Sequence, residues 1–379
     1  TQTKYFFMDD AAGIYEIAGI AENVTKTVGG GGDFATIQAA IDWFKGWVIK
    51  GACVIDCDAG AYDEAVEFAG LLIAPGSTLT LEGDTRALAG LSYIDGAACN
   101  PAALANGGSG ACGISNLGAV ITVTGAGSNP DFDADGWGAG DRLMVYTNAH
   151  AIAIYNIQAT LNNTITLTVA APAIGDDGTA IALIPNRSVD RSAAGICISV
   201  VGVKGIVVDG WYLETSAGAS CDGLSVASGG LCDAYNVLSY AEDYCFVSNA
   251  SYSSLTSKWG ATSAWGGSYG VLAINAAQAI MTYMQAVGAS SRGIGSIGGA
   301  YVVATSAATG HCAVGYYAAQ MGFMTASSSY ARVGTTGYNA VNRGYIIAAT
   351  TNANNTAATP YTPTPTDTWG ATLGSITFS

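Results

Sequence analysis

Charge is what this sequence has least of. Only 11% of its 379 residues are Asp, Glu, Lys or Arg, against about 25% in an ordinary globular chain, which excludes a disordered polyelectrolyte. Cations are scarcer than anions, 13 against 28, for a net charge of −15. That balance excludes nucleic acid as a partner bound through bulk electrostatics, though an acidic sugar held locally remains compatible with it. Proline is down to 8 residues, and the 51 glycines follow no G-x-y period, so collagen-like and mucin-like chains are excluded. With two histidines and no CxxC pair, no zinc site can be written, and neither a metal nor a cofactor is expected. No cleavable secretion signal is visible where Thr1-Gln2-Thr3-Lys4 leads into Tyr5-Phe6-Phe7-Met8. A chain already processed at Thr1 reads the same way, so secretion stays open.

What is present is apolar and small. The hydrophobic fraction is 50% and the mean hydropathy +0.33, enough for a large core spread over two or three domains. Of the acidic residues, 27 lie at or before Asp243, and only Lys258, Arg292, Arg332 and Arg343 are cations beyond it. Residues 259–291 carry no charge at all. A membrane span is rejected there because Gly266, Gly267, Ser268, Asn275, Gln278 and Gln285 interrupt any continuous apolar run. Nine cysteines, at 53, 57, 99, 112, 197, 221, 232, 245 and 312, read either as buried small hydrophobes or as disulfides formed in an oxidising exterior. Cys53 and Cys57, four apart, share one face of a strand.

The fold is written in a 22-residue period. Gly293, Gly315 and Gly337 repeat at that spacing, as do Ile294, Tyr316 and Tyr338, then Tyr301, Phe323 and Tyr345, then Ala304, Ala326 and Ala348. Looser copies from residue 195 onward are spaced by about 22 to 28 residues. Each copy holds strand-like segments of three to five residues and lacks a 3.6-residue period. The physical solution is a coil that winds once per repeat, its strands pairing with the next coil at about 4.8 Å and its equivalent side chains stacking in ladders. An all-β, right-handed parallel β-helix is therefore expected, with Tyr301, Phe323 and Tyr345 as one ladder and the three glycines as another, serving the core or self-association.

An open coil end needs a cover. Phe34, Ile37, Ile41, Phe44 and Val48 fall at helical steps after Gly29-Gly30-Gly31-Gly32-Asp33. This predicts an amphipathic capping helix with Asp33 as its N-cap. No GxxxxGK[ST] follows, so the glycines are not read as a phosphate cradle. The run GGGGDFATIQAAIDW, then Val54-Ile55-Asp56, Gly60-Ala61-Tyr62-Asp63-Glu64 and Leu79-Thr80-Leu81-Glu82-Gly83-Asp84, resembles the entry to the pectin-lyase-like β-helix superfamily. Its continuation through Gly90-Leu91-Ser92-Tyr93, and the ending Gly337-Tyr338-Asn339-Ala340 with Gly344-Tyr345-Ile346-Ile347, resemble bacteriophage tail and virion proteins. The resemblance covers most of 28–360 and implies a tail spike, tail fibre or related appendage, homo-oligomeric and most often trimeric, in a virion or outside the cell.

Five organisational units are expected: an arm over 1–28 that docks on a neighbour, the cap and first coils over 29–118, an insert over 119–187, the main coils over 188–358 and an extended, polyproline-like tail over 359–379. Five alternating strands, at 120–123, 140–146, 152–157, 163–169 and 180–184, predict the insert to be a small antiparallel barrel.

Carboxylates are the first chemistry to weigh on such a scaffold. Asp209, Asp233, Glu214, Glu242 and Asp243, with Asp190 and Asp222 beside them, are the available acids, and Asp209 and Asp233 are expected to face one another on successive coils. Glycoside hydrolysis requires two carboxylates at a set separation, whereas solvated turn acids require nothing. His150 and His311 are isolated, and no Ser/His/Asp spacing stands out. Trp259, Trp265 and Trp369 are available to stack on sugars. The near-neutral surface beyond Asp243 implies coverage by copies of the same chain or by other subunits. The leading expectation is a structural or adhesive virion component, leaning away from enzymatic activity, with host-surface polysaccharide as a possible partner. The alternatives are a polysaccharide-degrading hydrolase or lyase of the same fold and a non-viral extracellular filament or surface-layer protein.

Overall fold

The computed structural model describes residues 5–9, 13–17, 19–86, 92–95, 97, 107–109, 111–146, 152–171, 179–215, 221–257, 262–332, 334–349, 359–362 and 375–378. His150, Cys99, Trp259, Trp369 and the tail between 363 and 374 lie outside them.

Most of the chain forms a parallel β-solenoid of three long sheets with eleven, nine and eight strands. Equivalent residues of successive coils pair in register. Ile198 pairs with Leu224, then come Phe246, Val271, Ile294, Tyr316 and Tyr338. Coil lengths thus run from 22 to 26 residues and settle at 22 for the last two steps. Alternation along each strand sends one set of side chains inward. Tyr301–Thr305 and Phe323–Ser327 bury their second and fourth residues. Ala304 and Ala326 therefore line the core, while Tyr301, Phe323 and Tyr345 project outward, not into it. Their rings stack outside the column at 5.3 Å between successive centroids. The interior aromatic ladder is Tyr316 over Tyr338, fully buried, with centroids 4.9 Å apart and planes 11° apart. Their hydroxyls donate to the carbonyls of Ala307 and Ser329. Beside them the glycine column leaves room for the coil to turn. A Cβ on Gly293 would lie 2.7 Å from Thr309 Cγ2, and one on Gly315 would lie 2.8 Å from the Gly337 carbonyl.

The helix spans Ile37–Phe44 and buries Ile37, Ala40, Ile41 and Phe44 in the solenoid core. Its N-cap is Thr36, not Asp33: Thr36 Oγ1 accepts from the Ala39 N–H at 3.2 Å. Asp33 is occupied elsewhere, accepting from the Thr27 N–H at 3.2 Å and pairing with Lys26. Glu64, from the Gly60-Ala61-Tyr62-Asp63-Glu64 run, supplies a second cover for the helix start. Its two carboxylate oxygens accept from the N–H groups of Ile37 and Gln38 at 2.8 and 3.0 Å, satisfying donors that a helix leaves unpaired.

Residues 19–28 are not a separate arm. Gly19–Glu22 and Thr25–Val28 pair with Trp47–Lys50 and Ala52–Cys57 of the first coils, while Tyr5–Asp9 and Gly13–Ile17 form an antiparallel hairpin. At the other end Thr359–Thr362 is a strand paired with Thr336–Val341, and not polyproline-like. Ser375–Phe378 closes the eleven-stranded sheet.

The solenoid is interrupted between Thr78–Glu82 and Ile206–Asp209, which are nonetheless direct neighbours. The intervening chain contains a seven-stranded antiparallel sheet. All five expected strands belong to it, and two more, Ser92–Ile94 and Cys112–Leu117, precede residue 119. Gly113, Ser115 and Asn116 break the apolar pattern of the second, which explains why it does not read as a strand. One face of this sheet encloses its own core around Tyr93, Phe132, Leu143 and Ile165. The other, with Met144, Tyr146 and Ala182, packs on Tyr212, Leu238, Trp265, Val287 and Ala308 of the eight-stranded solenoid sheet. Trp265 is therefore fully buried, its Nε1 donating to Ser92 Oγ at 2.7 Å, and it is not available to sugars.

Cys53, Cys57, Cys197, Cys221, Cys232, Cys245 and Cys312 are free and buried, with Cys53 and Cys57 both inward on Ala52–Cys57. Cys112 is disulfide-bonded.

Candidate functional site

The register decides which acids meet. Val207 pairs with Asp233, and Asp209 with Tyr235. The offset between these coils is 26 residues, not 24, so Asp209 and Asp233 stand two positions apart along neighbouring strands and do not face each other. Asp209 instead completes an outward column with Asp56 and Glu82. Burial pushes its carboxyl up, Asn236 Nδ2 at 2.7 Å opposes this, and the Glu82 charge adds to the rise. Neither Asp56 nor Glu82 stands out in the sequence as a partner of Asp209, because the whole insert separates them from it.

Glu214 lies on a different sheet, in register between Asp190 and Tyr240. Burial raises its carboxyl, with the Tyr212 hydroxyl opposing and the Asp190 charge reinforcing. Asp243 lies close to Asp222, and these two form the most perturbed carboxylate pair. Burial, then the Asp243 charge, pushes Asp222 up to about 6, against a lowering hydrogen bond from the Tyr244 backbone. Its Oδ1 is buried without a hydrogen bond. Burial also raises Asp243, and Ser268 opposes it. Asp222 thus carries a raised carboxyl beside a second carboxylate, the arrangement from which acid and base roles are drawn.

Glu242, one residue on from the last eight-stranded-sheet residue of its coil, is exposed at the edge of a groove of about 420 Å³. Tyr146 and Ile152 of the antiparallel sheet form one wall, and Tyr240, Gly267 and Ser290 of the solenoid form the other. Two glycines shape the solenoid wall. A Cβ on Gly288 would come within 2.5 Å of the Tyr146 ring, and one on Gly266 within 3.0 Å of the Tyr240 ring. Both glycines have left-handed φ, near 70°, where side chains are strained in any case. His311, half-buried at a bend of the coil, stacks on Tyr146 with centroids 4.8 Å apart. Tyr240 is raised by burial and then by the charges of Glu214 and Glu242. Lined by Tyr146, Tyr240, Ser290 and the Glu242 carboxylate, the groove has donors and acceptors to hold a polyhydroxylated ligand. Among the described lining residues Glu242 is the one acid. Among the described residues no group of three His, Cys, Asp or Glu is placed to hold a metal ion, and no helix is long and apolar enough to cross a membrane.

No family model matches the chain, and no curated protein matches it. Among the solved structures that align with it over most of its length are three phage tailspikes. The tailspike protein gp49 from Pseudomonas phage LKA1 is 13% identical, covering 85% of this chain and 75% of that one at a TM-score of 0.19. The gp54 tailspike of Acinetobacter baumannii bacteriophage AP22, solved in complex with A. baumannii capsular saccharide, is 10% identical, covering 85% and 73% at 0.23. The tailspike gp61 of Pseudomonas phage phi297 is 10% identical, covering 90% and 67% at 0.22. At these scores the alignments carry no argument about function, which rests on the chain's own geometry.

Proposed function

We propose that this chain is a structural and adhesive component of a virion appendage, a tail spike or tail fibre, that works as a self-associating β-helix outside the cell. In this reading the solenoid winds right-handed in the manner of pectin-lyase-like proteins. The Ile37–Phe44 helix closes its first coil, and the seven-stranded sheet is a barrel inserted between coils. Three copies stand side by side, joined to other virion subunits, and host-surface polysaccharide is the external ligand. The observation that supports this best is the outward stack of Tyr301, Phe323 and Tyr345 on strands that carry no charge. A solitary particle keeps charge on its faces for solubility, and a ladder of aromatic rings in water favours burial. Sedimentation equilibrium of the full chain is expected to give an oligomer at micromolar concentration; a monomer at 100 µM would overturn the reading.

The pairing of Asp222 with Asp243 favours a second reading, a polysaccharide-degrading spike in which Asp222 serves as the acid and Asp243 as the partner carboxylate. Incubation with capsule or lipopolysaccharide is its test. Sugar release lost in both Asp222→Asn and Asp243→Asn would establish it, and no release from any such substrate would dismiss it.

A further inference from the structure

Arg292 opens the strand Arg292–Ile297 of the nine-stranded sheet and is half-buried. Its guanidinium Cζ lies 4.2 Å from the centroid of the Tyr317 ring and 5.3 Å from that of Tyr269, both within reach of a cation–π attraction. Its polar neighbours are hydroxyls. Nη1 donates to Ser291 Oγ, and the Tyr269 phenol, raised by burial, is held back by the Arg292 charge. Nε is buried without an acceptor, and none of the ion pairs among the described residues includes this arginine. Two other partly buried arginines have stronger acceptors: Arg86 has Asp84 and Asp141, and Arg187 has the carbonyls of Cys57 and Gly83 beside Asp56. Taking a guanidinium out of water costs free energy that an opposed anion normally offsets, and two ring faces offset part of it. Arg292 is thus held in place with its fork incompletely used.

Beside it runs a column of half-buried side chains, one per coil. Tyr269 pairs with Arg292, and Tyr244 with Tyr269, while the Tyr244 backbone N–H donates to Asp222 in the coil before. The Tyr244 and Tyr269 rings lie 5.5 Å apart at 46°. At about 4.8 Å per coil, Arg292 stands about 14 Å along the axis from Asp222. Two tyrosines therefore separate a carboxylate pair from a guanidinium. The strands of this sheet from Ile196–Val201 to Thr336–Val341 carry no other cation. One cation matches one anionic group, and a dense polyanion such as nucleic acid finds no second contact on these strands. Tyrosine faces and hydroxyls suit a sugar ring.

We infer that Arg292 seats an isolated carboxylate of the saccharide this chain binds, so that the ligand is an acidic polysaccharide of sparse charge whose neighbouring sugars lie along Tyr269 and Tyr244. The inference rests on the reading of host-surface polysaccharide as the external ligand and adds to it the charge of that polysaccharide and the residue that meets it. The chain's net charge of −15 repels anionic glycans at long range. Holding one therefore requires a local cation, and a planar guanidinium suits a carboxylate through paired, charge-assisted hydrogen bonds.

An array of purified bacterial capsule and O-antigen polysaccharides, some neutral and some bearing uronic or sialic acids, tests this with the full chain. The parent is expected to retain acidic glycans alone. Arg292→Gln is expected to hold them about tenfold or more weakly. Arg343→Gln, which removes an exposed arginine for the same change in net charge, is expected to match the parent. Circular dichroism reports whether each variant keeps its β structure. Should Arg292→Gln misfold, the ligand is altered instead: the retained glycans, reduced at their carboxyl groups to primary alcohols, are expected to bind the parent more weakly by the same factor. A parent that retains no glycan sinks the saccharide ligand itself. A parent that holds neutral glycans or dextran sulfate as well as the acidic ones sinks only the seat assigned here. So does a folded Arg292→Gln variant that binds like the parent, or a carboxyl-reduced glycan that binds unchanged.

Discussion

The carboxylate of Asp84 accepts the backbone N–H of Asn186 at 2.9 Å, so the residue where the chain leaves the solenoid also receives it on return. The same carboxylate pairs with Arg86 at 2.7 Å, and Arg86 reaches on to Asp141 of the insert, also at 2.7 Å. The Arg86 guanidinium lies 4.0 Å from the centroid of the Trp137 ring. Arg187, next in the returning chain, donates to the carbonyls of Cys57 and Gly83. One buried anion and two arginines thus fasten both ends of a long excursion.

Asp84→Ala leaves the Asn186 N–H without its acceptor and Arg86 with only Asp141 and the Gly136 carbonyl, and it is expected to cost about 2–4 kcal/mol, since Arg86 is only partly exposed. Urea unfolding measures it. Burial pushes the Asp84 carboxyl up, but Arg86 and the Asn186 N–H outweigh this and hold it below its ordinary value. A lowered carboxyl stabilises above its unfolded value and loses that contribution as pH falls through its folded one. The deficit of the variant is therefore expected in full at pH 7 and to shrink below about pH 4.

Asp222 has the opposite sign. Its folded value of about 6 lies above the ordinary 3.8, so ionisation at neutral pH weakens the fold and protonation relieves it. Asp222→Asn is expected to add about 1–2 kcal/mol at pH 7, discounted for the partial exposure of the group. The parent gains stability between pH 7 and pH 5 through this residue, and the variant lacks that gain. Paired denaturation curves at the two pH values check it.

Gly315→Ala places a methyl group 2.7 Å from Thr309 Oγ1 and 2.8 Å from the Gly337 carbonyl. Neither partner can move without disturbing a neighbouring coil, so a loss of about 1–3 kcal/mol is expected. Gly299→Ala meets nothing within 4 Å but sits at φ 74°, and about 1 kcal/mol is expected from backbone strain alone. Thermal unfolding of the two variants orders them.

Glu64→Ala frees the N–H groups of Ile37 and Gln38 and is expected to cost about 1–2 kcal/mol. Glu64→Gln, which keeps one acceptor, is expected to recover part of it. Hydrogen exchange at Ile37 and Gln38 reports the effect locally.

The coil period was readable because pairing in register forces equivalent positions to repeat, and Tyr301, Phe323 and Tyr345 occupy one ladder as their spacing requires. Which side they face was not readable from hydrophobicity, since the inward neighbours include Ala304, Ala326 and Ala348, smaller and less apolar than the rings outside. The Asp209–Asp233 pairing failed for a similar reason. A one-turn difference of two residues is invisible where coil length varies, and only the observed Val207–Asp233 register fixes it. The Asp222–Asp243 pair required a corner of the coil that brings Asp243 N–H to the Cys221 carbonyl at 3.0 Å. The groove could not be foreseen at all, because it depends on how the insert's Tyr146 lies over Gly288.

Because Leu79 and Ile206 are register partners despite the chain between them, the column reads straight through the interruption as though it were absent. The port formed by Asp84 and Asn186 is then a natural graft point: another domain with adjacent termini could be exchanged there without re-threading a single rung, so the inserted module can diversify while the solenoid that carries it stays the same.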